Sequence, residues 1–422
     1  MNEAQIRKRN FTTLTIEGTC FFTGLAFMDV NAVIPVFIYT YTQSLKLAGL
    51  ATTINLASSI IAQALLGPYV RSIRHVPSYI TLMMLLFRPL PFLMIPILLS
   101  RLSPTAIALA FLVIYALVFI GDGLVVVPWT DLFGRTISPE NRGKLLGYQQ
   151  LFGGLGGLAA GFIIKYVLEY DGISNAVRYS IIFGCAAVTM SLSIAVMMFA
   201  RDLPHQVAAR PARNWHYYAR LPAFLRQNRE FRRVAVIRIL SGITGMIAPF
   251  LILFGQDRLA LSNSQVSTLV YIQIAGTLVG GILWGNISSR FGNKYVILAT
   301  QIIGLLIPAA SLACFWLGPQ YFSWFLLWPI ILANGANMGS WLGYINYTID
   351  IIREEERTVY LLLSSLITLP LTVLAFLAGI IAEIVGFAPL FGICILTAIL
   401  GIGVARRLKS PRQLAEGEDF SG

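Results

Sequence analysis

The stretch GNISSRFGNK, residues 285–294, interrupts two segments that are almost wholly apolar. VSTLVYIQIAGTLVGGILW precedes it and YVILATQIIGLLIPAASLACFWL follows it. Each flanking segment is about 20 residues long, enough to cross the roughly 30 Å hydrocarbon core of a bilayer as a helix. The break between them holds two glycines, Gly285 and Gly292, and two cations, Arg290 and Lys294. Such a pattern predicts two antiparallel membrane helices joined by a tight, positively charged turn.

The rest of the chain repeats the theme. Of its 422 residues 57% are hydrophobic and only 12% charged, and its mean hydropathy is +0.74. A soluble domain carries about 25% charged residues, so there is too little charge here to coat a water-facing surface. Twelve candidate spans follow, near 13–39, 46–69, 77–99, 105–129, 145–168 and 178–200, then 234–256, 266–286, 295–317, 320–347, 359–383 and 386–405. The polar segment 201–233 divides them six and six, and 406–422 forms a tail. The expected fold is all-α: two pseudo-symmetric six-helix bundles, 1–200 and 234–405, joined by a basic central loop. The N-terminal run is too long for a signal peptide, contains Asp29 and lacks a small-residue cleavage pattern, so it reads as an uncleaved first span.

The net charge of +12 is a topology signal. Twenty-four of the Lys and Arg residues fall in segments on one side. Five, Lys46, Arg101, Lys165, Arg178 and Arg258, fall on the other. The bias places both termini in the cytoplasm and sets the cations against anionic lipid headgroups rather than nucleic acid. The four cysteines lie inside apolar runs and the three histidines in polar loops, so no metal or disulfide framework is expected. No glycine-rich nucleotide loop is present either, and neither cofactor nor nucleotide is expected. A membrane enzyme would need a nucleophile, base or metal cluster, and none is legible.

The halves resemble each other. Trp129, Asp131 and Arg142 around span four superpose on Tyr344, Asn346 and Arg357 around span ten by one constant shift, and Gly67 opens a turn that corresponds to the one at Gly285. Internal duplication of this kind points to a secondary transporter.

The turn itself is similar to the signature of the major facilitator superfamily, in which a Gly, an Asp-Arg pair and a second Gly followed by basic residues join spans two and three and spans eight and nine. Gly285, Arg290, Gly292 and Lys294 match it; Ser289 stands in the place of the usual Asp and Asn293 where Arg is common. In the first-half copy Gly67 is kept, Arg71 replaces the acid, and Arg74 and His75 form the basic end. PENRGK, 139–144, also resembles the family's loop between spans four and five. The resemblance implies alternating access about a central cavity, lined by spans one, four, seven and ten and by two, five, eight and eleven. It also implies a cytoplasmic latch built from Gly67, Asp131, Arg142, Gly285, Arg290, Gly292, Lys294 and Arg357. The missing acid leaves the latch carboxylate open between Asp131 or Glu140 and Asp350 or Glu354 to Glu356.

Charges within the spans are expensive and need a reason. Asp29, Arg88 and Asp122 belong to the first half, and a long Arg between two carboxylates has a choice of partner. They are the candidates for proton coupling, with a static ion pair as the competing explanation. Glu17 and Glu383 lie near span ends and are expected to reach water. In the second half Asn334, Asn337, Trp341 and Tyr344 recur along one helical face of span ten. Arg238 and Gln256 share a face of span seven, Gln273 lies in span eight, and Gln149 and Gln150 open the glycine-rich span five. These nine are the candidates for the solute path, against interhelical hydrogen bonding.

The function expected is secondary active transport of a small organic solute, coupled to protons, with export read ahead of uptake. Uptake of a sugar, organic anion or other nutrient, by symport or facilitated diffusion, stays open, as does a non-transporting sensor or scaffold. The expected location is the plasma or inner membrane. Oligomeric state is not legible.

Overall fold

A computed structural model describes residues 2–66, 69, 72–203, 225, 228–321, 324–338, 340–352, 363–364 and 367–409. Its described elements are α and 3₁₀ helices. Among the described residues, nine helical segments are long and apolar enough to cross a membrane, with shorter apolar helices at Val33–Thr42 and Pro370–Ile384. Large apolar side chains stay uncovered along them, including Trp316 at 76% and Ile384 at 77% exposure. Water would not tolerate so much contiguous apolar surface on a monomer; lipid does.

Five spans are broken where continuous helices were expected. Span one runs Glu3–Ala26 and resumes at Val33–Thr42. Span three runs Val76–Phe87, then a 3₁₀ turn Leu90–Leu93, then Met94–Leu98. Span seven breaks between Arg229–Gly245 and Leu251–Arg258, and span ten between Leu327–Met338 and Trp341–Asp350. Span eleven includes a 3₁₀ turn Pro370–Val373 before Leu374–Ile384. Proline explains spans three, seven and eleven: Pro89, Pro91, Pro249 and Pro370 remove backbone donors and push the preceding turn aside. In span one the break is capped from within, because Asp29 Oδ1 accepts from the Asn31 backbone N–H at 2.9 Å. The other spans are unbroken: Leu45–Leu66, Pro104–Thr136, Pro139–Glu169, Asn175–Met197, Asn263–Phe291, Asn293–Tyr321 and Phe387–Ala405.

The chain divides into two compact units, residues 1–212 with 263–275, and residues 213–262 with 276–422. Within the first unit, Phe37 of span one meets Phe111 of span four and Phe183 of span six at centroid distances of 4.9 and 5.0 Å. Glycines let span five approach span one: a Cβ at Gly156 would lie 2.0 Å from Thr23 Oγ1, and one at Gly153 2.8 Å from Phe22 Cβ. The 263–275 segment is tied to this unit by Glu169, which accepts from Ser264 at 3.1 Å and Ser267 at 3.0 Å. Within the second unit, Phe254 of span seven packs against Phe387 and Phe391 of span twelve at 5.4 and 5.2 Å. Span eight lies on span ten, where a Cβ at Gly276 would stand 2.4 Å from the Leu332 carbonyl.

Candidate functional site

In the first unit the centre of the polar structure is Arg88. It lies at the end of the helix Val76–Phe87, where the following Pro89 halts regular helix. Arg88 Nη1 donates to Glu17 Oε1 at 2.8 Å and also to Ser193 Oγ of span six. Its guanidinium carbon stands 4.3 Å from the centroid of the Phe21 ring, one helical turn beyond Glu17. Trp129 Nε1 of span four donates to the other Glu17 oxygen at 3.0 Å. Glu17 is 2% exposed and Arg88 6%. Two expectations are thereby corrected. Glu17 does not reach water, and Arg88 takes its partner from Glu17, not from Asp29 or Asp122. The carboxylate satisfies both oxygens inside the bundle, which an exposed one has no need to do.

Asp29 and Asp122 are placed differently. Asp29 is half-buried and serves the break in span one. Asp122, also half-buried, makes no hydrogen bond or ion pair within 4 Å among the described residues, yet lies within electrostatic range of Arg88 and Glu17. Of the three coupling candidates, then, Arg88 and Asp122 share a neighbourhood that also contains Glu17, and Asp29 stands apart.

The second unit holds a matching but neutral cluster. Gln301 of span nine, 213 residues after Arg88, donates through Nε2 to Ser241 Oγ at 2.6 Å and to Tyr344 Oη at 2.8 Å. The Ser241 and Tyr344 hydroxyls are 2.8 Å apart. Gln301 Oε1 would lie 2.2 Å from a Cβ at Gly401, so only glycine leaves room for the amide against span twelve. Tyr344 stands 215 residues after Trp129, which does the same work for the first cluster. Arg238 lies beside this cluster, its guanidinium carbon 5.8 Å from the Tyr344 ring centroid. Its Nη1 donates to Ser364 Oγ of span eleven at 3.1 Å. Gln301 and Ser193 were missed in the sequence because single small amides and hydroxyls in apolar spans are common; the shift of 215 that relates Trp129 to Tyr344 carries Arg88 to Ile303, two residues past Gln301, and so does not find it.

The remaining path candidates scatter. Gln149 is buried and donates to the Leu14 carbonyl at 2.7 Å, packed over Gly18; it joins helices. Gln150 is exposed, and Gln273 and Asn334 are buried. Asn334 reaches the Ala248 carbonyl at 3.5 Å. Gln256 Oε1 and Asn337 Oδ1 are buried oxygens without a hydrogen-bond partner among the described residues. The Trp341 side chain lies outside the described residues. Among the described residues, a groove of about 630 Å³ in the first unit is lined mainly by apolar side chains, Phe27, Ile95, Leu99, Ile163 and Val188 among them, and by no residue of the Arg88 cluster.

At the loops, Gly292 has φ of +95°. Its N–H donates to the Ile287 and Ser288 carbonyls at 3.2 and 3.0 Å, ending span eight in a glycine cap. Gly285 and Arg290 are exposed and Lys294 is half-buried. Arg142 Nε donates to the Ile137 carbonyl at 3.1 Å and its Nη2 to the Gly134 carbonyl, closing the end of span four. A cation there also answers the helix dipole. Asp131 pairs with Arg135 at 2.9 Å, and Arg135 with Asp202 at 2.7 Å. Gly67, Arg71, Arg357 and Glu354 to Glu356 lie outside the described residues, as do the side chains of Glu140 and Asp350.

The family profile of the Major Facilitator Superfamily matches residues 19–262 and again 234–420. The chain belongs to this superfamily. Major facilitator proteins are transporters, and that membership, not the lack of a visible active site, sets this chain among transporters rather than enzymes. Solved structures agree on the fold. A D-xylose–proton symporter is 14% identical with a TM-score of 0.71, covering 96% of this chain and 98% of that one. A bacterial homologue of the iron transporter ferroportin, inward-facing, is 14% identical with a TM-score of 0.69, covering 97% and 99%. The nucleoside transporter NupG is 14% identical with a TM-score of 0.67, covering 94% and 98%. Among curated sequences, the uncharacterized protein Rv2209 of Mycobacterium tuberculosis (strain ATCC 25618 / H37Rv) is 24% identical over 307 residues. That match covers 71% of this chain and 57% of the relative, so the chain spans little more than half of that protein's length.

Proposed function

We propose that this major facilitator protein is a proton-coupled secondary transporter of a small organic solute, working by alternating access between the halves 1–200 and 234–405. In this reading 201–233 is the cytoplasmic linker, 406–422 a cytoplasmic tail, and the membrane is the plasma or inner membrane. The charge bias of the loops supports that orientation. Gln256, Asn334, Asn337 and Tyr344 remain the polar groups assigned to the solute path, with Gln150, Gln273 and Trp341 at its edges.

The observation that carries the coupling is Asp122. A half-buried carboxylate without a described partner, next to a closed Arg88–Glu17 pair, has one simple way to lower its cost in the membrane: take up a proton. Arg88 is held by Glu17 and Ser193 and supplies a fixed field, while Asp29 caps a break that a moving span one needs as a hinge. The test uses protein reconstituted into liposomes with an imposed pH gradient. Asp122→Asn should abolish gradient-driven accumulation of the solute and leave exchange of solute across the membrane intact. Accumulation at the wild-type level in that variant would end the assignment. The sign of the gradient that drives accumulation separates export by antiport, favoured here, from uptake by symport, the activity that one structural neighbour carries in its name.

The latch is the second element of the reading. Gly292 closes the turn after span eight, and Arg290 and Lys294 stand beside it. Gly292→Val, which forces a branched side chain into φ of +95°, and Arg290→Ala should each slow flux several-fold without loss of expression. Full activity of both would remove the latch.

A further inference from the structure

An arginine within a bilayer persists only where something answers its charge. Away from the span ends, the described spans hold two, Arg88 and Arg238. Arg88 is answered inside the protein by the Glu17 carboxylate at 2.8 Å, and the pair is closed by Ser193 and Phe21. Arg238 is not. Among the described residues no carboxylate lies within 4 Å of it, and its one acceptor is the Ser364 hydroxyl, at 3.1 Å from Nη1. A guanidinium has five N–H donors, so the edge formed by Nε and Nη2 has no acceptor among the described residues. Arg238 is also half-buried rather than sealed.

Its neighbours do not make up the deficit. Gln301 spends its amide donor on Ser241 and Tyr344, and its carbonyl is pressed towards Gly401. Ser241 and Tyr344 are bonded to each other. These neighbours are neutral and internally satisfied, and the guanidinium carbon lies over the ring of the buried Tyr344, 5.8 Å from its centroid. A neutral acceptor gains only an ordinary hydrogen bond from such a place, and a cation is repelled by it. A negatively charged group gains the planar fork of a guanidinium that has no counter-charge among the described residues, and the fork matches the two oxygens of a carboxylate or phosphate.

We infer that Arg238 reads the charged end of the solute, and that the solute is an organic oxyanion, a carboxylate or phosphate ester. The inference rests on the transporter reading above and narrows it to a substrate class.

The test uses the purified full-length chain in detergent and a panel of organic acids. Each acid is paired with its neutral counterpart: benzoate with benzamide, nicotinate with nicotinamide, phenyl phosphate with phenol. Thermal shift against concentration gives the affinity of each. At least one acid should bind wild type about tenfold or more tightly than its partner, the scale of one charge-assisted hydrogen-bond pair. Whether the carboxylates or the phosphate ester show this advantage identifies the oxyanion. Arg238→Gln should erase the advantage and leave the neutral partner's affinity unchanged; Arg238→Lys should keep part of it. Should Arg238→Gln not survive extraction, the acid-to-amide ratio in wild type and in Arg238→Lys still decides. Equal binding of acids and neutral partners in wild type overturns the inference, as does an acid preference that survives in Arg238→Gln. Flux of neutral solutes in liposomes, without acid preference, would overturn it while leaving the transporter reading in place. Absence of flux for every solute would overturn both.

Discussion

In the first half Arg88 of span three joins Glu17 of span one, Trp129 of span four and Ser193 of span six. In the second half Gln301 of span nine joins Ser241 of span seven and Tyr344 of span ten, and presses its amide towards Gly401 of span twelve. The same spans of the repeat thus meet at the same kind of polar crossing, once as a charged pair and once as neutral amide and hydroxyls. The difference has a physical consequence. A buried ion pair is stiff: it is costly to separate and useless unless complete. A neutral network costs less to rearrange, and the cation beside it, Arg238, has no carboxylate partner among the described residues. Duplicated halves can therefore divide labour, one serving as a fixed frame with a titratable neighbour, the other as the surface that meets the solute.

The largest expected effect tests the stiffness of the first cluster. Glu17→Ala leaves Arg88 buried without its carboxylate, a loss of about 3–5 kcal/mol. The combined Glu17→Leu and Arg88→Met variant removes both charges and should regain most of that stability. Thermal unfolding in detergent reads both. Equal instability of the single and double variants would mean that packing, not charge, holds the crossing, and the contrast between the halves would lose its basis.

A smaller effect compares the crossings directly. Trp129→Phe removes a donor to the carboxylate that is paired with Arg88 and should cost about 1.5–3 kcal/mol, whereas Tyr344→Phe removes one neutral hydroxyl and should cost about 1 kcal/mol. Function should rank them the other way. Tyr344→Phe, at the neutral cluster beside Arg238, should reduce solute affinity, and Trp129→Phe should leave it unchanged. If both variants lost affinity equally, the division of labour would be wrong.

Much of this architecture was legible beforehand, for reasons that differ by feature. The twelve spans and their two halves follow from length and apolarity, which a bilayer enforces without regard to detail. Gly292 was legible because a residue at φ of +95° favours glycine whatever surrounds it. The breaks at Pro89, Pro91 and Pro249 were written in the sequence but hidden by the apolar continuity around them. Partner choice was not legible. Helical rise set Arg88 between Asp29 and Asp122 and put Glu17 near a span end; which residue of span one meets Arg88 depends on how that span is placed and rotated against span three, which rise does not give. Gln149 failed as a path residue for the same reason: its face of span five meets Leu14 of span one. Periodicity gives the face of a helix but not the neighbour it meets.

The smallest effect concerns Ser193. Its hydroxyl accepts from Arg88 and donates to the Met190 carbonyl at 2.5 Å. In the second cluster span twelve offers Gly401 at the crossing, with no side chain to accept anything. If Ser193 only supplements the ion pair, Ser193→Ala leaves Arg88 with Glu17 and the Phe21 ring, and should cost about 1 kcal/mol with transport unchanged. If the hydroxyl instead holds Arg88 away from Asp122, its loss lets the guanidinium swing between the two carboxylates. The pH dependence of transport would then move although stability hardly changed. A shifted pH profile at constant melting temperature would make span six part of the coupling machinery; an unchanged profile would keep Arg88 as a fixed frame and leave Asp122 to carry the proton alone.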